Sequence, residues 1–430
     1  MNFNIISFGC KVNSYESHYM KEQLLKNGYF YSDDYKTSDI VIVNTCSVTN
    51  TADNKCKKMI RSVRRENSKC ILMVCGCTSE NNRDKLNEFD IDIMIGNNEK
   101  SKVVELIENF IKDRTKFVKF YNTRNVPFEN MEIDEFSDMT RAYVKIQDGC
   151  NNFCAYCIIP YVRGNIRSKD IDVAYNEIKS LVEKGHKEIV FTGINTGAYG
   201  KEHGKYDLVD LIKRISVLDG LERIRISSIE ITEIEDRLIN EMKINNKLCG
   251  HLHVSLQSGS ERILKLMDRK YTKDEYEDKI NKLREARPNI NLTTDVIVGF
   301  PGETEEDFLE CVDYCKKIGF SKIHVFPFSK REGTKAAGMS NQLDNAIKKQ
   351  RARRLIEIDD KLQKEYNDKF LGTKVNVLVE EVIDGKSVGH TENFLKVIID
   401  EILETNRCYD VIVYDTDITY VMGKVVENEN

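Results

Sequence analysis

Three cysteines on one short loop carry the clearest chemical signal in this sequence. Cys150, Cys154 and Cys157 have the spacing Cys-x3-Cys-x2-Cys and directly follow a predicted strand. Three thiolates can bind three irons of a 4Fe–4S cluster. The fourth iron then lacks a protein ligand, and an open coordination position is typical of catalytic metal sites. The alternative is a zinc site with a remote fourth ligand such as Cys249, although zinc loops usually pair their cysteines as Cys-x2-Cys.

A second group of three cysteines is spread over the first hundred residues. Cys10, Cys46 and Cys77 each follow the C-terminal end of a predicted strand, and ligand sites of open α/β sheets lie at that edge. Each one alone is more simply explained as a buried core cysteine, but three equivalent positions favour a second cluster with an open iron. Cys75 lies two residues from Cys77 and is a competing ligand. The other cysteines are interpreted as core residues.

The composition excludes several classes of protein. Of 430 residues, 40% are hydrophobic and 31% charged, which indicates a folded and not a disordered chain. No run approaches the about 18 apolar residues of a membrane helix, so we expect no membrane association. The 13 cysteines without a visible signal peptide favour a reducing compartment, here the cytoplasm. The net charge of −5 does not by itself indicate nucleic acid.

Two series of alternating strands and helices must position these cysteines. The first predicts a doubly wound parallel α/β sheet, with strands at 3–8, 39–44, 70–75 and 91–95. The second has six predicted strands between residues 141 and 327 and indicates a partial (β/α)6 barrel, whose chemistry belongs at the C-terminal strand ends. The tail alternates like a small all-β barrel. The predicted units are 1–126, a linker at 127–139, 140–366 and 367–430.

The three-cysteine loop resembles the signature of the radical S-adenosylmethionine (SAM) superfamily, and the similarity extends along the chain. HLHVSLQSGSERILKLMDRKYT (251–272) and DVIVGFPGETEEDF (295–308) resemble blocks of its methylthiotransferase family. The contexts FGCKVNSYES, NTCSVTNTAD and VCGCTSE resemble that family's three N-terminal cysteines. The resemblance implies an N-terminal methylthiotransferase domain, a radical SAM core and a C-terminal TRAM-like domain. It also implies two 4Fe–4S clusters and S-adenosylmethionine as cofactors.

The resemblance also implies roles for individual residues. Cys150, Cys154 and Cys157 are the catalytic set, and Cys10, Cys46 and Cys77 hold the second cluster. The family's Gly-Cys pair maps to Gly76-Cys77, and strand alternation is expected to turn Cys75 to the opposite face. The implied contacts to S-adenosylmethionine are Gly193 and Asn195 near its amino group, together with Ser228, Glu230 and Gln257 at strand ends. For each of these five, a satisfied turn or an ordinary strand-end polar group is the alternative.

The implied reaction adds a methylthio group to C2 of an adenine. One cluster reduces S-adenosylmethionine to a radical that removes the C2 hydrogen, and the other cluster supplies the sulfur. The cysteine contexts resemble the branch acting on N6-threonylcarbamoyladenosine in the tRNA anticodon loop, with flavodoxin or ferredoxin as the type of electron donor. The isopentenyl-adenosine and ribosomal-protein branches are alternatives. An iron–sulfur electron-transfer protein and a non-catalytic RNA-binding protein are alternatives from other classes.

Local charge patterns indicate which parts of the chain could contact the phosphates of an RNA. Residues 55–69 form a predicted basic helix on which Lys57, Arg61, Arg64 and Arg65 could contact phosphates, although a solvated face is the simpler interpretation. From Val375 onward there are 12 acidic and 4 basic residues, which argues against phosphate binding by the tail. Arg163 and Arg167 follow the cysteine loop and are candidates to bind a carboxylate or phosphate.

Overall fold

The computed structural model describes residues 1–47, 49–136 and 140–426. It contains a parallel α/β sheet, a partial β/α barrel and a closed β-barrel, in this order along the chain. The predicted fold class is therefore confirmed. Among the described residues, no helix is both long enough and apolar enough to cross a membrane.

The N-terminal sheet has six parallel strands in the order β2-β1-β3-β4-β5-β6. Apolar clusters on both faces, one around Met20 and Phe110 and the other around Ile60 and Leu86, make it doubly wound. The edge strands β2 and β6 were not predicted, because two or three residues carry no readable alternation. The strands are β1 Asn2–Ser7, β2 Phe30–Tyr31, β3 Ile40–Thr45, β4 Ile71–Gly76, β5 Ile93–Ile95 and β6 Phe117–Lys119. The helices are α1 Lys11–Lys26, α2 Asn50–Glu66, α3 Cys77–Asn81, α4 Arg83–Leu86 and α5 Val103–Asp113.

The central unit is an open barrel of parallel strands with helices outside. One of the six predicted strands is in fact two short strands broken at Ser227, so the wall consists of the sheets β11-β10-β7 and β12-β13-β14-β15. The strands are β7 Arg141–Lys145, β8 Gln147–Asp148, β9 Arg167–Ser168, β10 Glu188–Thr192, β11 Arg223–Ile226, β12 Ser228–Ile229, β13 His251–Val254, β14 Asn291–Val298 and β15 Lys322–Pro327. The helices are α6 Ile159–Val162, α7 Ile171–Glu183, α8 Leu208–Ser216, α9 Asp236–Ile244, α10 Glu261–Leu266, α11 Lys273–Ala286, α12 Glu305–Ile318 and α13 Asn345–Asp368.

The C-terminal unit is a closed five-stranded barrel in the order β16-β17-β18-β20-β19. Its interior is filled mainly by valines at alternate positions of the strands, as the tail pattern predicts. The strands are β16 Lys374–Ile383, β17 Lys386–Thr391, β18 Lys396–Ile399, β19 Arg407–Thr416 and β20 Val421–Val425.

The predicted linker, 127–139, is packed against the central unit where the structure describes it. Met131, Ile133 and Phe136 are buried in the core of the barrel. The hydroxyl of Tyr15 on α1 donates a hydrogen bond of 2.6 Å to the Met131 carbonyl oxygen. This segment therefore joins the first two units through a shared core, while its last residues, 137–139, lie outside the described part.

Candidate cluster sites and the cavities between them

The loop with Cys150, Cys154 and Cys157 follows the C-terminal ends of β7 and β8. The Cys157 amide donates to the Cys154 carbonyl at 2.9 Å, and the Cys150 amide donates to the Gly164 carbonyl at 3.0 Å. Burial raises the pKa of the Cys150 thiol to about 11 and also raises the pKa of Cys157, which Cys154 and Cys150 raise further. Thiols whose pKa is raised in this way, such as Cys150 and Cys157, ionise only with a cation beside them, so this donor set fits an iron cluster.

The structure separates Cys249, the proposed fourth ligand of a zinc site, from the cysteine loop. Cys249 directly precedes β13, at the N-terminal end of the barrel strands, whereas the cysteine loop lies at their C-terminal ends. The charged groups near Cys249 are Arg225, Glu188, Arg223 and Glu392, none of them on the loop. Within residues 1–47, 49–136 and 140–426, no three His, Cys, Asp or Glu side chains converge on a single metal position. A 4Fe–4S cluster does not need such convergence, since each thiolate binds a different iron.

A buried arginine beside this loop was missed by the sequence analysis. The Arg269 guanidinium donates to Cys154 Sγ at 3.3 Å and to the Tyr156 hydroxyl at 3.3 Å, and it forms an ion pair with Glu230. Glu230, expected to contact S-adenosylmethionine, is therefore held by Arg269 next to the cysteines. Arg269 lies in the quoted block 251–272, but its partners are 39 and 115 residues away and leave no local pattern.

Gln147 connects Asn195 and Gly193 to the same cysteine loop. Gln147 Oε1 accepts from the Asn195 amide at 2.8 Å, and Gln147 Nε2 donates to the Gly149 carbonyl at 2.8 Å. A Cβ atom on Gly193 would lie 3.0 Å from Gln147 Oε1, so a side chain there would crowd this contact. Asn195 Oδ1 is buried and has no hydrogen-bond partner among the described residues. An unpaired acceptor at this position fits an ammonium group such as that of S-adenosylmethionine.

Two cavities open along the strand ends. The smaller, of about 200 Å³, is lined by Cys157 and Gln257 and by Thr49 and Arg331. The larger, of about 510 Å³, is lined by Ser228 and by residues of all three units. Asp295 and Phe326 line both cavities. The structure thus places Gln257 beside the cysteine loop, whereas Ser228 faces the larger cavity.

The N-terminal cysteines lie together at the sheet edge that faces this region. Cys10 precedes α1, Cys46 follows β3 and Cys77 begins α3. A Cβ atom on Gly9, at φ +109°, would lie 2.6 Å from Cys46 Sγ, so only glycine allows this approach. Arg163 lies near Cys10 and Cys77, and Arg331 lies near Cys46 and Cys77. Three thiols next to two arginines fit an anionic iron–sulfur cluster.

Cys75 and Cys77 differ in their surroundings for a reason other than the alternation we expected. Residues two apart on a strand share a face, so alternation cannot separate them. The strand ends at Gly76, whose φ of +98° turns the chain, and Cys77 begins a helix. Cys77 then packs against Ile158 and Val162 of the central unit. Cys75 stays in the core of the N-terminal sheet, where burial raises the pKa of its thiol to about 12.

We expect Cys77→Ala to lose the N-terminal cluster and Cys75→Ala to retain it. After anaerobic reconstitution, iron content should fall from about eight to about four atoms per chain in the Cys77 variant only. Iron analysis with Mössbauer spectroscopy measures this. The opposite pattern, or zinc in place of iron in the wild-type protein, contradicts the prediction.

The two cysteine groups are joined by a buried network of charges. Glu16 on α1 is fully buried and pairs with Lys100, Lys145 and Arg163. Asp148 on β8 pairs with Lys145, Arg163 and Arg167. Arg163 and Arg167, expected to bind a carboxylate or phosphate, therefore bind carboxylates of the protein itself. The network connects the helix after Cys10 to the strand before Cys150.

The basic helix is less available to RNA than its sequence suggests. On α2, Lys57 pairs with Asp53 at 2.9 Å and Arg64 pairs with Asp92 at 2.5 Å. Arg61 and Arg65 are exposed on the outer face. Arg65 pairs with its neighbour Glu66, so three of the four predicted phosphate contacts are engaged in ion pairs.

Comparisons with known proteins match this arrangement of the chain. Residues 144–315 match the Radical SAM superfamily, and residues 2–96 match Uncharacterized protein family UPF0004. The chain is 40% identical over 400 residues to "Threonylcarbamoyladenosine tRNA methylthiotransferase MtaB" of Bacillus subtilis (strain 168), covering 91% of this chain and 89% of that protein. This chain belongs to the radical SAM methylthiotransferase family. It is therefore an enzyme that transfers a sulfur-containing group and uses S-adenosylmethionine and 4Fe–4S chemistry.

Other methylthiotransferases are almost as similar to this one. A "tRNA-2-methylthio-N(6)-dimethylallyladenosine synthase" of Acetivibrio thermocellus is 39% identical, covering 87% of this chain and 80% of that protein. Among solved structures, the radical S-adenosylmethionine methyltransferase TsrM of Kitasatospora setae matches with a TM-score of 0.55 at 14% identity, covering 76% of this chain and 72% of that chain. That likeness shows the fold alone. Sequence identity therefore establishes the family and does not separate the two tRNA substrates.

Proposed function

We propose that the protein adds a methylthio group to C2 of N6-threonylcarbamoyladenosine in the anticodon loop of tRNA, in the cytoplasm. The observation that carries the proposal is that one cysteine group lines the smaller cavity and the other lies beside an arginine of its wall. Cys157 lines it directly, and Arg331, which lines it too, lies near Cys46 and Cys77. A base in this cavity is within reach of both sites, as a reaction with separate radical and sulfur sources requires.

The residues divide into two groups by their place around this cavity. Cys150, Cys154 and Cys157 hold one 4Fe–4S cluster, and Cys10, Cys46 and Cys77 hold the second. When bound by Cys150, Cys154 and Cys157, the first cluster would supply the electron that cleaves S-adenosylmethionine, and a donor such as flavodoxin or ferredoxin would reduce the cluster. Asn195 accepts a hydrogen bond from the cofactor's ammonium group. Gly193 allows the loop that carries Asn195 to pack against Gln147. Arg269 orients Glu230. Gln257 contributes to the wall beside Cys157.

The choice of substrate is supported by the walls of the larger cavity. Most of the residues that line it are polar, among them His251, His253, Asn291 and Thr293 on neighbouring barrel strands. A threonylcarbamoyl substituent is polar, carries a carboxylate and can bond to such side chains, whereas an isopentenyl substituent is a hydrocarbon and makes no hydrogen bond with them. The ribosomal-protein substrate has no comparable support here.

The test uses anaerobically reconstituted enzyme, S-adenosylmethionine, a reductant and anticodon stem-loop RNAs. We expect methylthiolation of the RNA with threonylcarbamoyladenosine at a rate at least about tenfold above that of the RNA with isopentenyladenosine, since one well-placed polar contact is worth that factor. Mass spectrometry of digested nucleosides measures both products. Preference for the isopentenyl RNA refutes the substrate, and cleavage of S-adenosylmethionine with neither RNA modified refutes a tRNA function.

A further inference from the structure

The larger cavity lies where all three units meet. Lys11 enters it from the N-terminal unit, strands β11 to β15 form its wall, and Phe394 and Lys396 close it from the C-terminal barrel. Its volume of about 510 Å³ lies within the range of small-molecule sites. It adjoins the smaller cavity across Asp295 and Phe326, so a base in the smaller one can extend a substituent into the larger.

Lys11 projects into this cavity without a bonding partner. Among the described residues, no hydrogen bond or ion pair joins its ammonium group to any other side chain. The nearby charges are Arg225 and Arg141, together with Glu188, which already binds both arginines. A lysine facing two arginines across a concave surface lacks its counter-ion, and an anionic ligand would supply it.

The remaining charges of the cavity also favour an anionic ligand. Asp295 is the only carboxylate among its described lining residues, and His253 Nε2 lies 3.3 Å from it. Of the lining cations, Arg225 pairs with Glu188 and Lys322 pairs with Asp359, which leaves Lys11 and Lys396 uncompensated. His251, 8% exposed, also lines the cavity, and its Nδ1 has no partner among described residues.

Lys396 is a basic residue of the otherwise acidic tail that lies at this cavity. Two of the other tail bases form ion pairs within the tail, Lys386 with Asp400 and Arg407 with Glu404. Lys396 begins β18 at the rim of the cavity instead. The C-terminal barrel therefore presents an unpaired cation to this site, although its overall charge is negative.

We infer that Lys11 binds the carboxylate of the threonyl group on the substrate adenosine, and that Lys396 assists it, which selects this substrate over one with a neutral substituent. The inference rests on the proposed function and assigns its specificity to two residues. A lysine–carboxylate contact in a partly enclosed site is charge-assisted and stronger than a neutral hydrogen bond. An RNA phosphate is the other source of an anion, and the experiment separates the two.

The test compares two anticodon stem-loop RNAs, one with threonylcarbamoyladenosine and one in which its carboxylate is replaced by the neutral amide. Fluorescence anisotropy measures the Kd of each RNA for the reconstituted full-length enzyme. Wild-type protein should bind the carboxylate RNA about tenfold more tightly than the amide RNA. Lys11→Gln should bring the two Kd values within about twofold, and Lys396→Gln should reduce the ratio by about threefold.

Lys112→Gln is the matched control, because Lys112 is exposed on α5 and has no partner among described residues. It should keep the wild-type ratio. If Lys11→Gln weakens the binding of both RNAs equally, the lysine contacts a phosphate and the inference is overturned. An unchanged ratio of the two Kd values in both Lys11→Gln and Lys396→Gln overturns it too. Lys396 lies far in sequence from any proposed cluster ligand, so its variant remains informative if Lys11→Gln lowers iron content.

Failure of the inference and failure of the proposed function give different results. If wild-type enzyme methylthiolates the threonylcarbamoyl RNA but binds both RNAs equally, only the role of Lys11 and Lys396 is wrong. If it methylthiolates only the isopentenyl RNA, the proposed substrate is wrong and the inference falls with it.

Discussion

Cys150→Ala, Cys154→Ala and Cys157→Ala should each reduce deoxyadenosine formation from S-adenosylmethionine to the level of a protein-free control. The three thiols are the only cysteines on the loop at the C-terminal ends of β7 and β8, and removing one leaves a cluster with two protein ligands. The triple variant of Cys10, Cys46 and Cys77 should still form deoxyadenosine but no methylthiolated nucleoside. Liquid chromatography of the anaerobic reaction measures deoxyadenosine, and mass spectrometry of digested RNA measures the product.

The contrast between the two groups is the decisive part of this prediction. In the proposed reaction, radical formation needs only the loop with Cys150, Cys154 and Cys157 and its bound cofactor, whereas sulfur delivery needs the N-terminal site. The matched control is Cys70→Ala, because Cys70 is a buried thiol directly before β4, at the opposite end of that strand from Cys77, and should affect neither readout. Loss of deoxyadenosine in the N-terminal triple variant, with iron retained at the catalytic loop, contradicts the assigned division of labour.

Glu16→Gln should lower the free energy of unfolding by about 3–5 kcal/mol, because it removes a buried anion shared by three buried cations and leaves Lys100 without a carboxylate partner. Burial alone raises the pKa of Glu16, but Arg163, Lys100 and Lys145 outweigh it and hold that pKa well below its ordinary value. Urea denaturation of the metal-free protein measures the change. Lys179→Ala, which breaks an exposed pair with Glu183, should cost less than about 1 kcal/mol.

The sign of the pH dependence follows from the same shift. A carboxyl group whose pKa is lower in the folded than in the unfolded state stabilises the fold above its unfolded pKa, and this contribution is lost as pH falls. The difference in the free energy of unfolding between wild type and Glu16→Gln should therefore be constant between pH 6 and pH 8. It should shrink only below the ordinary glutamate pKa of 4.5. A difference that grows as pH falls contradicts the proposed pairing.

The sequence allowed the fold class and the cysteine groups to be predicted because both depend on local patterns. Apolar runs alternating with amphipathic segments define strands and helices within about ten residues, and parallel strands bring their carboxyl ends to one edge. Cys10, Cys46 and Cys77 follow β1, β3 and β4 accordingly. The boundaries of the units and the roles of individual site residues stay predictions.

Cys75 shows where a local rule was applied wrongly. Alternation along a strand was expected to separate it from Cys77, yet residues two apart share a face. The separation comes from the turn at Gly76 and the helix that starts at Cys77. A Cβ atom on Gly76 would lie 2.4 Å from the Thr45 carbonyl oxygen on the neighbouring strand, so this turn depends on a contact 31 residues away.

The sequence by itself determined the alternating elements, the two cysteine groups and the family resemblance. Only the tertiary structure decided which charged side chains are available to a ligand. Arg64 and Lys57 are as basic in the sequence as Lys11, but they are neutralised by Asp92 and Asp53, whereas Lys11 faces other cations. The physical reason is that a charge is compensated by groups within a few ångströms in space, and at the domain junction those groups come from residues more than one hundred positions apart, as in the pair Glu16–Arg163.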